Sequence, residues 1–166
     1  MKTILKIILL VGALGLLYYV YHIAAPTQSD NTNVDKTNFT LDPSNATFTI
    51  EGEPVILSED VALLPNKTTG DLNNDEKPDQ ALLLAQSGGG SGVFVYIASY
   101  VSGPINYKGT NALFLGDRIA PQSITIANGV VTVTYLDRGK DEALAAEPTI
   151  KVTKKFVYKN GELVER

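Results

Sequence analysis

Two Asn-Gly pairs, Asn128-Gly129 and Asn160-Gly161, constrain the fold of this chain more than any other feature. Each separates two runs in which apolar and polar residues alternate. Before Asn128 the run places Ile124 and Ile126 on one face; after Gly129, VVTVTYL returns Val131, Val133 and Tyr135 to the same face. A period of two belongs to a strand with one buried side. Asn-Gly suits a type I′ turn, because both central residues take positive φ and the turn's twist matches the strands it joins. TIKVTKKFVYKNGELVE reads as a second hairpin, and Lys151, Lys154 and Lys155 mark its first strand as an edge guarded against pairing with another chain.

Upstream, ATFTI (46–50) alternates, VIL (55–57) and VALL (61–64) are short apolar runs, and QALLLAQ (80–86) and VFVYIASYV (93–101) are apolar on both faces. The last two predict central strands covered on both sides. Only KDEALAAE (140–147) reads as helical, and no internal repeat is present. The pattern predicts a mainly-β domain over residues 46–166, a single antiparallel sandwich or partly open barrel.

Residues 1–25 are of another kind. IILLVGALGLLYYVYHIAA (7–25) holds nineteen residues without a formal charge, close to the roughly 20 that cross a bilayer as a helix. Tyr18, Tyr19, Tyr21 and His22 gather at its far end, where amphipathic rings suit the headgroup level. The run exceeds a signal-peptide core of about 7–15 residues, and Ile23 interrupts the small-residue cleavage pattern, which favours a retained anchor. Lys2 and Lys6 precede the run and no Lys or Arg follows before Lys36, so the N-terminus is expected inside and the remainder across the membrane. Residues 26–45, polar and without periodicity, read as a stalk.

Of 14 basic residues two precede the span, leaving 12 against 18 acidic beyond it, net −6. An acidic domain of this kind argues against nucleic acid as a partner. There is no cysteine, and the single histidine is His22, within the expected anchor. Thiol chemistry, a Ser-His-Asp triad and a His-ligated zinc site are therefore excluded from residues 26–166.

The densest polar cluster is GDLNNDEKPDQALLL (70–84). Asp71, Asn73, Asp75 and Asp79 occupy positions 1, 3, 5 and 9 of a D-x-N-x-D-x-x-x-D loop, with the Lys77 carbonyl at position 7. Ca²⁺ is a hard cation that takes six to eight oxygen ligands, and alternating side chains in a tight loop can converge on it. The segment resembles the calcium loop of FG-GAP repeats and, more loosely, that of dockerins, which read D-x-[DN]-x-D-G-x-x-D before an apolar strand. The resemblance covers about fifteen residues and implies Ca²⁺ held by Asp71, Asn73, Asp75, Lys77 and Asp79. It departs at Glu76 and Asn74, where glycines are usual, and at Leu82, where an EF-hand has its bidentate Glu. The longer run NATFTIEGEPVIL…GGGSGVFVYIA…GTNALFLGDRIAPQ is similar to exported bacterial domains without an assigned activity.

Three further features bear on chemistry. SGGGSG (87–92) lacks the Lys and following helix of a phosphate-binding loop and reads as a hairpin connection. Asp117-Arg118 and Asp137-Arg138 read as ion pairs closing strand ends; the alternative is a carboxylate pair for glycan hydrolysis in the cell envelope. Tyr96, Tyr100 and Tyr107 are candidates for a binding surface. The expectation is a single-pass, membrane-anchored, extracytoplasmic binding or structural module with an envelope or extracellular ligand, rather than an enzyme.

Overall fold

Alternation at period two becomes eleven strands in the computed structural model, which describes residues 41–166; the expected anchor at 7–25 and most of the expected stalk lie outside the described residues. The strands are β1 (Phe48–Ile50), β2 (Glu53–Val55), β3 (Val61–Gly70), β4 (Asp79–Gln86), β5 (Phe94–Val101), β6 (Lys108–Gly109), β7 (Asn111–Asp117), β8 (Ala120–Ala127), β9 (Val130–Asp137), β10 (Ile150–Lys159) and β11 (Glu162–Glu165). They form two open sheets. One runs β2-β1-β7-β5-β4-β3, with β6 on β5; the other runs β11-β10-β9-β8. Neither closes into a barrel.

Both expected Asn-Gly hairpins form. Asn128 and Gly129 take φ of 51° and 69°, Asn160 and Gly161 take 54° and 92°, and they join β8 to β9 and β10 to β11. The lysines of β10 fall where an exposed edge needs them. β11 covers only Phe156–Lys159, so Ile150–Lys155 carries a strand partner on one side alone. The Gly-rich run links β4 to β5 as an antiparallel hairpin, Gln86 opposite Phe94.

Two expectations are corrected. The sheets are not wholly antiparallel, since β1 pairs with β7 in parallel through Thr49 and Ile50. Residues 140–147 form turns instead of a helix, and no helix occurs among the described residues. Leu144 there is 57% exposed. A segment this short gains helical stability only from packing an apolar face, and here none is buried.

Alternate residues of β4 feed two cores. Ala81 and Leu83 join Val95, Ile97 and Leu115 against Val131, Val133, Tyr135 and Phe156 of the second sheet. Leu82 and Leu84 face the other way, among Phe48, Ile50, Val61 and Tyr96. A slip of one residue would exchange one fully buried apolar set for another. Hydrophobicity alone therefore fixes the register of β4 weakly, and its ends must do so. One end runs into the glycine loop. The other begins at Asp79.

Candidate functional site

Loop 71–78 is organised by carboxylates turned onto backbone N–H groups. Asp71 Oδ1 accepts from Asn74 N at 2.7 Å and its Oδ2 from Glu76 N at 3.1 Å. Asn73 Oδ1 accepts from Asp75 N, and Asp75 Oδ1 from Lys77 N. This succession of side-chain turns is what Asp and Asn do when four backbone donors in a tight loop lack strand partners. It bends the chain through left-handed conformations at Asn74 (φ 62°) and Glu76 (φ 64°), the two places where the resembling loops carry glycine. Asn tolerates that region; Glu there costs on the order of 1 kcal/mol.

Asp79 closes the loop from within. Its side chain is fully buried; Oδ2 accepts from Leu72 N at 2.7 Å and Oδ1 from Ser102 N at 2.8 Å. Ser102, just beyond β5, is the loop's second anchor. Its hydroxyl donates to Asp75 Oδ2 at 2.7 Å, and its carbonyl accepts from Asn73 Nδ2 at 2.9 Å. The Ser102 hydroxyl, followed by the Lys77 N–H, holds the Asp75 carboxyl below the usual carboxylate range. Tyr107 donates to the Pro78 carbonyl at 2.9 Å, and burial, with the charges of Asp79 and Asp75, raises its phenol. The loop is thus tied to the end of β5, where Gln80 lies opposite Tyr100. Ser102 carries no motif of its own in the sequence.

As a cation site, the donor set is right in type, all oxygen for a hard ion. Each loop carboxylate oxygen accepts a single donor, whereas an ionised carboxylate has about four acceptor positions. Lys77 Nζ lies 3.7 Å from Asp75 Oδ2, a solvent-screened pair that is easily displaced. Among the described residues no group of three or more His, Cys, Asp and Glu side chains converges as a ready cage. Gln80 Oε1, buried without a hydrogen-bond partner, belongs to the opposite face of β4 from Asp79 and adds no donor to the loop.

Of the two expected Asp-Arg ion pairs, Asp117–Arg118 forms and Asp137–Arg138 does not, because the Arg138 guanidinium turns to backbone carbonyls. Arg118 Nε and Nη2 donate to Asp117 at 3.2 and 3.0 Å, and Val93 N donates to Asp117 Oδ1 at 2.9 Å. The Arg118 guanidinium first, then the Val93 N–H, holds that carboxyl below its ordinary range, which suits an ion pair and not a general acid. Arg138 spends its guanidinium on the carbonyls of Ala146, Asp117 and Arg118, while Asp137 Oδ1 accepts from Arg138 N.

The tyrosines do not form one surface. Tyr100 and Tyr107 meet at 5.2 Å between ring centroids beside the acidic loop. Tyr96 is 4% exposed and donates to Gln86 Oε1 at 3.3 Å, at the glycine-loop end of the sheet. Phe94 and Phe114, absent from the sequence-based candidates, flank Tyr96 and are 40% and 51% exposed. The phenylalanines come together only through the pairing of β5 with β7, which nineteen intervening positions conceal. Comparisons with models of known protein families, with curated proteins and with solved structures found no match.

Proposed function

We propose that the chain is a membrane-anchored, extracytoplasmic binding or structural module whose acidic loop is a structural calcium loop. The observation that carries this reading is the direction of the acidic side chains. The most conspicuous cluster in the sequence turns inward onto backbone donors, with Asp79 bridging Leu72 and Ser102 across the start of β4. Its role is to hold a strand in register. Ca²⁺ would be held by Asp71, Asn73, Asp75, Asp79 and the Lys77 carbonyl, and would supply positive charge that offsets three carboxylates. The loop's remaining acceptor capacity supports this. Asp117 is held in an ion pair by Arg118, which speaks against its use as the acid of a carboxylate-dependent hydrolase.

Anchoring rests on residues 7–25 and on the placement of Lys2 and Lys6. The test is a C-terminal tag on intact cells. Added protease is expected to remove it while a cytoplasmic control survives. A tag that stays protected alongside that control would reject the exported orientation.

A further inference from the structure

Three two-residue turns in this domain have positive φ at both positions, and one of them breaks the pattern. Asn128-Gly129 and Asn160-Gly161 use the favoured pair. The β1–β2 hairpin turns instead on Glu51-Gly52, with φ of 52° and 90°. Glu gains nothing from that conformation and is strained by it, whereas Asn in the same place is at ease. A strained residue in an otherwise well-solved turn points to what its side chain does.

Glu51 borders two adjoining recesses. One, of about 280 Å³, is lined by Glu51, Gln86, Phe94, Tyr96 and Phe114. The other, of about 370 Å³, shares Glu51, Tyr96 and Phe114 and adds Glu162. No basic side chain lines either. Phe114 lies 5.5 Å from Tyr96 and 6.2 Å from Phe94 by ring centroids, with interplanar angles of 60° and 56°. Rings tilted against one another offer several faces to a compact group, not one flat platform for a sugar. Ring faces attract cations, most strongly where water is partly excluded and a carboxylate stands near. A guanidinium or ammonium group fits both features; a neutral ligand fits only the rings.

We propose that the Phe94–Tyr96–Phe114 recess, with Glu51 at its rim, is a binding site for an arginine or lysine side chain presented by a partner polypeptide. This rests on reading the chain as a binding module and supplies the chemistry of its ligand. Glu51 provides the charge, and the exposed Phe94 and Phe114 rings receive the cation and its apolar stem.

The test follows the ring signals of the full-length chain, labelled at Phe and Tyr, by NMR in neutral micelles. The probes are a blocked tetra-arginine peptide, its uncharged citrulline counterpart and a neutral oligosaccharide. Phe94, Tyr96 and Phe114 are expected to shift with the arginine peptide alone. Glu51→Asn should weaken that binding about tenfold, a change of about 1.4 kcal/mol, while the melting temperature holds or rises because Asn suits the turn. Phe114→Leu should weaken binding similarly. Equal response to citrulline, undiminished binding by Glu51→Asn, shifts spread over the acidic surface, or ring signals that change on dilution as for a second copy would each overturn the proposal. Ring signals moved by the oligosaccharide alone, with the C-terminal tag accessible on cells, would overturn the cation and leave the module standing; a protected tag would remove the module itself.

Discussion

Replacing Asp79 by Asn keeps the shape of a fully buried side chain and removes one acceptor. The wild-type carboxylate serves two backbone donors, Leu72 N and Ser102 N, and both residues are at most 5% exposed. An amide has one oxygen for those two donors, so one N–H faces an NH₂ group and goes unpaired. A buried donor without a partner costs about 1–3 kcal/mol, and the surviving bond weakens by about 1 kcal/mol as it loses charge assistance. The expected loss is about 2–4 kcal/mol, or about 6–14 °C in melting temperature for a domain of this size. Asp71→Asn is the matched comparison. Asp71 also accepts two N–H bonds, but from Asn74 and Glu76, both exposed, where water replaces the lost partner. Its cost should stay below about 1 kcal/mol. Thermal and urea unfolding, followed by circular dichroism at pH 7 with EDTA, measure both. Equal losses at positions 71 and 79, or a loss below about 1 kcal/mol for Asp79→Asn, would refute the clamp.

Other sites give sharper local outcomes. Asn111 bonds Leu163 twice, donating to its carbonyl at 3.0 Å and accepting from its N–H at 2.7 Å, so it ties β7 to β11 across the two sheets; Asn111→Ala should cost about 2–3 kcal/mol in urea unfolding. A Cβ at Gly109 would overlap the Thr47 carbonyl and the Phe48 ring, so Gly109→Ala should cost about 3 kcal/mol or more and expose β1 amides to hydrogen exchange. Asp117 is held below the ordinary carboxylate value of 3.8, so its contribution is present above that pH and lost as pH falls through the folded-state value. Asp117→Asn should therefore be less stable than wild type at pH 7, with the gap closing below about pH 4 in parallel melts. No Lys77 side-chain atom is among the expected calcium donors, and its ammonium competes at Asp75; Lys77→Met should increase the proposed stabilisation by Ca²⁺, read as a larger melting shift at equal Ca²⁺.

What could be read from the residues was what local chemistry decides. Asn-Gly turns dictate their own φ, so both hairpins were legible, and the doubly apolar β4 and β5 declared themselves as central strands. Partner choice was not legible. Nothing in ATFTI or NALFLGD says that β1 runs parallel to β7, because alternation records which face is buried and not which strand lies alongside. KDEALAAE misled because its Ala and Glu residues favour helix in isolation, while the segment buries no face and its Glu142 side chain instead accepts from Gly139 N. The acidic loop's outline was visible, including Asn74 and Glu76 as the two positions where the resembling loops carry glycine. Its dependence on Ser102 was not, since an isolated Ser at the end of β5 carries no signal until the fold brings it to Asp79. Glu51 was hidden for the opposite reason: a Glu-Gly pair reads as a solvated turn until the rings of two distant strands stand beside it.

The proposed calcium loop is tested most directly by melting the full-length chain in EDTA and in Ca²⁺ at about ten times the dissociation constant. An ion that binds only the folded form adds RT ln(1 + [L]/Kd), about 1.4 kcal/mol at that ratio, which corresponds to a rise of about 3–6 °C. Weak extracellular loops have constants of roughly 10⁻⁴–10⁻³ M, so concentrations up to about 10 mM cover the range. Mg²⁺ should do less, because it demands stricter geometry and sheds water reluctantly. Asp71→Ala should lose the rise while still unfolding cooperatively. Superimposable wild-type curves in EDTA and Ca²⁺ would contradict the calcium loop and leave Asp71, Asn73, Asp75 and Asp79 as a purely protein-bonded clamp.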